Sequence, residues 1–502
     1  MGQSSARKVI EINQRVNEPT NLTADASRRV RRQRTWRCLI LLTALGALAV
    51  GGWVWSNAVR REPLPVFATP EEQFKDGALG YGSLGKVQGF PLYLWQVLPE
   101  VFADKLPGPG GWAAFGLVTE PGKEYPVGFA KVTVGYPGLV PNCALCHSGT
   151  MRTAPGEAPR LVLGAPAHQM DFDAFNNFVF AACTDSRFTA ANLLPHIEKV
   201  ARLSWSERLF YRVLLTALPG QVRAQQTAFA WQATRPTAGC GRTDAFNRFK
   251  INILNLPDDG TLGTSDYPPL WNQKARGGLW LHWNGSGNNL HDEDLLSVLP
   301  IIKAPGEFDP RGFERLVAFL RDLQPPKFPH PVDPAKAEVG QALFTRHCAD
   351  CHAFGGAKTG QVTPLAEIGT DSAFLGMWTE KFVAKLKAID SQPFKFPAIR
   401  VSDGYINVPL DGVWLRAPYL HNGSVPTLWD LLQPPEQRPA TFDRGGDLLD
   451  AERVGFTTSP GSPRQPFRYD TTLPGNRNTG HRYGVDLPTA DKKALIEFLK
   501  TL

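Results

Sequence analysis

Two short cysteine–histidine motifs dominate the chemistry that this sequence can perform. Residues 143–147 read Cys-Ala-Leu-Cys-His and residues 348–352 read Cys-Ala-Asp-Cys-His, so the pattern Cys-x-x-Cys-His occurs twice. The two thiols are spaced to form thioether bonds with the vinyl groups of one haem, and the adjoining histidine then reaches the iron as an axial ligand. The sequence therefore predicts two covalent haem c groups, held by Cys143, Cys146, His147, Cys348, Cys351 and His352.

A zinc site and a redox-active dithiol are the alternatives for these motifs. Zinc usually draws four Cys or His ligands from two such pairs, but here both pairs end in histidine and lie 205 residues apart. A redox dithiol does not need the trailing histidine. We therefore favour the haem interpretation.

The net charge is concentrated at the N-terminus. The 502-residue chain has a formal charge of +7, and residues 1–60, with ten Lys/Arg against three Asp/Glu, account for all of it. A neutral body behind a basic leader indicates membrane topology rather than phosphate binding. We expect no nucleic-acid partner.

An apolar run over residues 38–55 follows this basic leader. As a helix it would extend about 27 Å, just enough to cross a bilayer. Six arginines within residues 28–37 directly precede the run, which predicts that the N-terminus stays in the cytoplasm. We predict a basic cytoplasmic tail (1–37, disordered over 1–35), a single-pass anchor in the bacterial inner membrane (38–55) and a linker (56–69), with the remainder in the periplasm. A cleaved signal peptide is the alternative.

Export bears on the cysteines outside the motifs. Cys38 lies in the predicted anchor, which leaves Cys183 and Cys240 in an oxidising compartment. They are predicted to form a disulfide. Two buried thiols are the alternative, because a bridge demands a specific geometry that sequence does not test.

Beyond the linker the chain contains two unequal copies of one plan. Each copy has a Cys-x-x-Cys-His, then a turn containing His and Asn-Gly-Ser, then a closing helix, residues 316–323 in the first and 495–502 in the second. In both helices apolar residues recur at i, i+3, i+4 and i+7. Because Pro-Pro at 325–326 follows the first, we predict a mainly α fold of two tandem cytochrome c-like haem domains with long irregular loops, residues 70–325 and 326–502.

Local signals add four elements to this plan. Asp333 and Pro334 predict the start of a helix that runs up to the second motif. Thr489 is predicted to cap the closing helix. In the first half, residues 131–134 predict a strand and residues 202–218 have helical spacing.

Several segments resemble dihaem cytochrome c peroxidases and their relatives. The likeness covers most of residues 70–502, and within that superfamily it is greatest to the rubber-oxygenase-like dihaem cytochromes. The second-domain signature is similar to residues 416–428, the first-domain signature to residues 267–272 and 282–285, and the rubber-oxygenase-like segments to residues 89–94, 142–147, 435–442 and 480–484.

This resemblance implies the second axial ligand of the second haem. It points to His481, which would give bis-histidine ligation and a haem suited to electron transfer. Met377 competes, because methionine is the usual partner in simple cytochromes c. His421 also competes, although in the family pattern this histidine supports the pocket.

At the first haem the resemblance implies a distal side lined by aromatic residues. We take Trp271, His282 and Trp283 as candidate catalytic residues, with Trp280 beside them and a plain aromatic core as the alternative. His282 stands where peroxidase relatives carry an aromatic, so it serves either as a proton shuttle or as a ligand. Further candidates for the sixth position of this iron are His168, Met151 and Met170.

Three functions follow from these assignments. The first is a haem-dependent oxidoreductase in which the second haem relays electrons and the first activates peroxide or dioxygen. The second is a rubber-oxygenase-like dioxygenase of an apolar substrate, and the third is a non-catalytic electron-transfer cytochrome. The expected partners are a periplasmic or membrane electron donor or acceptor and a small-molecule oxidant or apolar substrate. Peroxidase relatives hold calcium between their domains, so a calcium ion is an open expectation.

Overall fold

The computed structural model describes residues 21–56, 60–82, 89–302, 305–458 and 465–502. The chain divides into two compact units, Met1–Arg61 and Glu62–Leu502. The predictions made for residues 1–20 lie outside the described residues. The two units are described separately below.

Helix α1 (Asn21–Val54) makes up the described part of the N-terminal unit. Its stretch Arg28–Val54 is long and apolar enough to cross a membrane, as an anchor or as a signal sequence. The prediction of disorder is wrong for residues 21–35, which are helical. Arginine is a good helix former, and once a helix is nucleated each added residue extends it at little cost.

The second unit combines helices with short strands, and the chain is about 45% helical. Up to residue 322 the elements are α2 (Pro70–Asp76), β1 (Phe90–Pro91), α3 (Leu92–Val101), β2 (Phe129–Val134), β3 (Tyr136–Pro141), β4 (Ser148–Met151), β5 (Arg160–Leu163), α4 (Phe172–Cys183), α5 (Ala190–Val200), α6 (Trp205–Ala228), β6 (Arg242–Thr243), α7 (Ala245–Asn252), β7 (Ser265–Asp266), α8 (Leu290–Ile302) and α9 (Pro310–Asp322).

The elements after residue 326 surround the second motif. They are α10 (Pro334–His347), α11 (Ala349–His352), β8 (Val362–Pro364), α12 (Leu365–Ile368), α13 (Ala373–Met377), α14 (Glu380–Lys387), β9 (Gly404–Ile406), α15 (Leu428–Leu431), β10 (Thr441–Arg444), β11 (Leu448–Asp450), β12 (Gly455–Thr457), β13 (Phe467–Asp470) and α16 (Thr489–Leu499).

The strands form small antiparallel sheets. One sheet has three strands in the order β1-β3-β2, and the others are pairs: β4 with β5, β6 with β7, β8 with β9, β10 with β13 and β11 with β12. The predicted strand at residues 131–134 is confirmed as part of β2. The helix predicted over residues 202–218 is α6, which continues to Ala228.

Helices α10 and α16 cross in close contact beside the second motif. A Cβ atom added to Gly340 of α10 would lie 2.0 Å from the carbonyl oxygen of Ala494 in α16, so only glycine allows this approach. The rings of Phe344 and Phe498 pack nearby, with centroids 5.2 Å apart. This crossing positions the helix that leads directly into the second Cys-x-x-Cys-His.

The predicted start of α10 is confirmed, whereas the predicted cap of α16 is wrong. The Asp333 carboxylate accepts hydrogen bonds from the backbone N–H groups of Ala335 and Lys336, at 3.1 and 3.2 Å. Helix α16 instead has Pro488 at its cap position, without a side-chain hydrogen bond. Thr489 is therefore the first helical residue, one position too late to act as the cap.

Residues before and after 326 are joined by buried ion pairs. Asp447 accepts hydrogen bonds from the Thr150 hydroxyl at 2.9 Å and the Arg152 guanidinium at 2.7 Å. Asp411 contacts Arg276 in the same way, at 2.5 Å. These contacts account for a single compact unit over residues 62–502, and the division near residue 326 stays a prediction.

The structure contains no disulfide between Cys183 and Cys240, and both thiols are buried. Cys183 belongs to α4 and to an aromatic-rich apolar core. The Cys240 carbonyl accepts a hydrogen bond from Arg444 at 3.0 Å, in the turn before β6. Two cysteines left over by elimination need not meet, because packing decides which side chains become neighbours.

Candidate functional site

Both Cys-x-x-Cys-His motifs line the same cavity in the second unit. Its volume is about 1640 Å³, above the roughly 300–1,000 Å³ of a typical small-molecule site. The cavity thus offers more room than one ordinary ligand requires. The six motif residues that line it are Cys143, Cys146, His147, Cys348, Cys351 and His352.

Asn142 fixes the first motif at the end of β3. Its side chain, 3% exposed, accepts a hydrogen bond from the Ala144 N–H at 2.9 Å. Its amide donates to the carbonyls of Lys75 and Gly77 at 3.2 and 3.0 Å. These bonds start the short 3-10 turn Cys143–Leu145. The sequence likeness over residues 142–147 includes Asn142 but does not indicate this role.

His147 is a neutral imidazole whose second ring nitrogen is free to bind a metal ion. Its Nδ1 donates to the carbonyl oxygen of Pro268 at 2.9 Å, and burial lowers the pKa of His147 to about 4. With Nδ1 protonated, Nε2 keeps its lone pair. A hydrogen bond from one ring nitrogen to a carbonyl is the usual support of a metal-binding histidine.

His352 in the second motif has the same arrangement. Its Nδ1 donates to the carbonyl oxygen of Val408 at 2.7 Å, and burial lowers the pKa of this histidine as well. Two histidines at corresponding motif positions therefore present Nε2 in the same tautomer. Both fit the role of axial ligand.

The cysteines of the motifs do not have the character of a redox dithiol. Burial raises the pKa of Cys143 to about 12 and that of Cys146 and Cys348 to about 11. Reactive thiols instead have a lowered pKa, produced by nearby positive charge. Within the described ranges no three or more His, Cys, Asp or Glu side chains form a metal-binding group. The zinc interpretation therefore lacks its four-ligand cluster.

His481 faces His352 across the cavity. The centroids of the two imidazole rings are 6.2 Å apart. Because a metal–imidazole bond is about 2 Å long, this separation leaves room for one metal ion between the rings. The pKa of His481 is lowered to about 3 by burial, by His352 and by Arg438, so the ring is neutral and able to act as a ligand.

A buried arginine holds the loop that carries His481. The Arg438 guanidinium, 5% exposed, donates to the carbonyls of Asn478, Gly480 and His481 at 2.6, 2.9 and 3.0 Å. It also donates to two carbonyls at the end of α15, those of Leu431 and Gln433. His481 has a φ of +46°, a conformation that costs energy and persists only where the surroundings impose it.

The two competing ligands for the second haem have different surroundings. Met377 is fully buried in an apolar cluster with Phe374 and Trp378 and does not line the cavity. The His421 ring is stacked on Tyr405, with centroids 3.9 Å apart. Burial and the charge of Arg242 lower the pKa of His421 to about 3. His421 thus has the surroundings of a packed, neutral pocket residue.

The ring that neighbours His147 is a phenol rather than a second imidazole. The ring centroids of Tyr267 and His147 are 6.3 Å apart. The Tyr267 hydroxyl forms a hydrogen bond with the Cys146 thiol, and this bond partly opposes the rise in the pKa of Cys146 that burial causes. The proposed sixth ligands His168, Met151 and Met170 are buried outside the cavity wall. Tyr267 had been quoted only within the first-domain signature, without a role.

The structure separates the three candidate catalytic residues. His282 and Trp283 line the cavity, but Trp271 does not. The Trp271 indole is fully buried and donates to the Leu163 carbonyl at 3.0 Å, while Gly164 and Gly412 pack against its ring. Trp271 is therefore a core residue, and its predicted catalytic role has no geometric support.

His282 and Trp283 are each held by a defined partner. His282 forms an ion pair with Glu293. Burial disfavours the charged ring, but the Glu293 carboxylate outweighs this and raises the pKa of His282 above its ordinary value. The Trp283 indole donates to the Asp266 carbonyl at 3.0 Å. Trp280 also lines the cavity, with the Arg400 guanidinium 3.3 Å above its ring.

Asp294 of α8 also lines the cavity. Burial raises the pKa of its carboxyl to about 7, opposed by the charge of His291 and by a hydrogen bond from Gln273. Its charge also acts on Cys143 of the first motif. A carboxyl that titrates near neutral pH is suited to giving and taking protons.

These features fit a c-type cytochrome, and comparisons with known proteins support that class. Residues 404–443 match a family model described as RoxA-like, cytochrome c-like. This segment contains Val408, His421 and Arg438, which surround the second motif. The match supports a relationship to the rubber-oxygenase-like cytochromes, and a cytochrome c-like domain implies haem c.

Two proteins of Sinorhizobium fredii (strain NBRC 101917 / NGR234) are similar to this chain. Uncharacterized protein y4iM is 30% identical over 285 residues, which cover 49% of this chain and 64% of y4iM. Uncharacterized protein y4iJ is 29% identical in an alignment that covers 80% of this chain and 83% of y4iJ. The chain thus spans just under two thirds of the first relative and most of the second.

Proposed function

We propose that this protein is a membrane-anchored, periplasmic dihaem c-type cytochrome with oxidoreductase activity. Peroxide or dioxygen is activated at the first haem, and electrons are relayed at the second. The observation that carries the proposal is the unequal surroundings of two otherwise equivalent histidines. His352 faces the imidazole of His481 at 6.2 Å, whereas the ring beside His147 is that of Tyr267.

The second motif has the surroundings of an electron-transfer site. Two neutral histidines on opposite sides leave no position for a substrate, and bis-histidine ligation suits electron transfer. Arg438 holds the His481 loop through three carbonyls. A ligand set that does not rearrange needs little reorganisation when an electron arrives or leaves.

At the first motif, the residues of the chain are placed to hold and supply protons. Haem c bound there would supply the redox chemistry that activates peroxide or dioxygen. Asp294 can carry a proton on its carboxyl near neutral pH, since its pKa is raised to about 7. His282 can carry a second proton on its ring, because the Glu293 carboxylate beside it raises the pKa of His282. Tyr267 and Cys146 form a hydrogen bond that orients the motif.

An oxygenase acting on an apolar substrate is the second candidate. Two observations favour it: the cavity wall beyond the motifs contains many aromatic side chains, and residues 404–443 match the RoxA-like model. In this case both atoms of dioxygen would enter the substrate. The aromatic lining includes Phe90, Trp95, Phe172, Phe175, Phe180 and Phe229.

Product analysis separates these functions. The purified full chain is given hydrogen peroxide and a reduced one-electron donor, and in a parallel reaction polyisoprene and dioxygen. Donor oxidation that depends on peroxide supports the peroxidase reaction, and cleaved polymer supports the oxygenase. A His147→Ala variant should lose either activity. If neither reaction exceeds that of the variant, the catalytic proposal fails and the electron-carrier function stands.

A further inference from the structure

Helix α6 exposes an apolar stripe to solvent. Trp205 is 78% exposed, Leu209 43% and Val213 57%. They are spaced four residues apart, so they lie on one face of the helix. Single exposed apolar residues are ordinary, but three large ones in a row mark an interaction surface.

The same face stays apolar along the rest of α6. Ala217, Gly220 and Ala224 continue the stripe at spacings of three and four residues, and each is exposed. The opposite face is buried through Tyr211, Leu215, Leu218 and Val222. Gly220 and Ala224 also belong to the cavity wall. The stripe therefore runs from Trp205 to the edge of the cavity that contains both motifs.

Exposed arginines border this stripe on one side. At 100° per residue, Arg208, Arg212 and Arg223 fall beside Trp205, whereas Leu209 and Val213 lie further round the helix. All three arginines are exposed. Arg208 also pairs with Glu198, and Glu207 is engaged in the capping box with Ser204. The positive charge of Arg212 and Arg223 is not offset by an ion pair within the helix.

We propose that this face of α6, defined by Trp205, Leu209 and Val213 with Arg212 and Arg223, lies on the surface of an anionic lipid bilayer. An apolar face with an exposed Trp, next to a basic face, is the pattern of helices that lie in the interface plane. Tryptophan prefers the headgroup level, and arginine is attracted to anionic lipid. The inference goes beyond the proposed function and does not depend on which reaction occurs.

The charges of Arg212 and Arg223 favour an anionic bilayer, rather than a second copy of this chain, as the partner of this face of α6. Antiparallel pairing of two identical faces, across a two-fold axis perpendicular to α6, would bring the uncompensated Arg212 and Arg223 of both copies to the same edge of the interface. An anionic headgroup layer instead neutralises them. Membrane contact also gives α6 a second role, because its C-terminal half is part of the cavity wall.

A fluorescent label on the stripe tests this contact. In the full chain with Cys38→Ser, bimane is attached to Leu209→Cys or Val213→Cys, and the protein is placed in nanodiscs that contain phosphatidylglycerol. Val339→Cys is the matched control, because Val339 is also an exposed valine on a helix, 51% accessible. Quenching by brominated acyl chains is compared with quenching by aqueous iodide.

We expect the ratio of bromolipid to iodide quenching to be several-fold higher at positions 209 and 213 than at 339. Arg212→Gln with Arg223→Gln should reduce this ratio, as should replacing phosphatidylglycerol by phosphatidylcholine. Equal ratios at all three positions would overturn the proposal. So would label-to-label contact between molecules before lipid is added, since this would identify the face as an interface between copies.

Discussion

His147 and His352 illustrate how much of this protein is decided by single residues. Both donate Nδ1 to a backbone carbonyl, at 2.9 and 2.7 Å, and both are neutral. They differ in the aromatic ring that lies beside them: His481 is the neighbour of His352, and Tyr267 is the neighbour of His147. In the proposed function, His481 is the residue that closes the second site to small molecules.

Replacing His481 tests its role as a ligand. We expect His481→Ala to remove the low-spin bis-imidazole signal from the electron paramagnetic resonance spectrum of the oxidised protein, because one axial imidazole is lost. Met377→Leu conserves volume in a packed core, costs less than about 1.5 kcal/mol, and should leave the signal unchanged. A low-spin signal that survives in His481→Ala but is lost in Met377→Leu would show that methionine is the ligand.

Asp294 predicts a pH dependence of stability. Its pKa is raised from 3.8 to about 7 by burial, so between these values the unfolded chain releases the proton and the folded chain keeps it. The free energy of unfolding contributed by this group therefore falls as pH rises from about 4 to about 7. Each pKa unit corresponds to about 1.4 kcal/mol, which makes the effect a few kcal/mol.

Denaturant unfolding at pH 5 and pH 7.5 measures this effect. Asp294→Asn should lessen the loss of stability between the two pH values, since an amide does not titrate. Asp322→Asn, at the exposed end of α9, serves as the control and should behave as the parent protein. An Asp294→Asn variant with an unchanged pH dependence would contradict the assignment.

Residue types at fixed spacing were predictable, but their neighbours were not. The six attachment residues follow from the motif alone. Sequence likeness grouped Trp271 with His282 and Trp283. In the structure the Trp271 ring instead packs in the core against Gly164 and Gly412, which have no side chains to displace it. Asp294 and Asn142 acquire their roles only from what surrounds them, and no local pattern specifies that.

At the scale of elements, the loop over residues 478–481 matters most. It contains no regular structure, and its backbone carbonyls are bound by one guanidinium, that of Arg438. Burial lowers the pKa of Arg438 to about 10, so it remains charged at neutral pH. A planar group with five donors is needed here, and lysine has a different geometry.

Arg438→Lys tests this loop. It keeps the charge but leaves several buried carbonyls unpaired, each at a cost of about 1–3 kcal/mol. We expect lower stability and, in the reduced protein, a second haem that binds carbon monoxide in part. The neighbouring Arg482 forms an exposed pair with Glu436, and Arg482→Gln should change stability by less than about 1 kcal/mol. Equal effects of both variants would contradict a positioning role for Arg438.

The crossing of α10 and α16 supplies a second test at this scale. Gly340→Ala places a Cβ 2.0 Å from the Ala494 carbonyl, so the helices must separate, at a cost of about 1–3 kcal/mol or more. Gly376→Ala is the control, because a Cβ at Gly376 meets nothing within 4 Å. Thermal unfolding should show a lower midpoint for the first variant and little change for the second.

Elements with strong local signals were predicted, and those specified by tertiary contacts were not. Asp333-Pro334 identified the start of α10, and the periodic closing helices became α9 and α16. The loop of residues 478–481 has no periodicity, and its conformation depends on Arg438, forty residues earlier. Sequence likeness indicated His481, but the means of holding it was visible only in the structure.

At the scale of the whole molecule, both Cys-x-x-Cys-His motifs line one cavity of the second unit. Asp411 connects the two copies of the plan, since its carboxylate receives Arg276 from the first half and Arg416 from the second, at 2.5 and 2.7 Å. Sequence repeats predict two similar domains, but they do not predict how closely these pack. The RoxA-like match over residues 404–443 covers the part of the cavity wall around the second motif.

Carbon monoxide binding to the reduced protein tests the central claim of two unequal haems most directly. Haem is first counted by the pyridine haemochrome method, with two equivalents per chain expected. We expect carbon monoxide then to shift the spectrum of one of these two haems, the one attached at His147. Binding to both haems, binding to neither, or fewer than two haems per chain would contradict it.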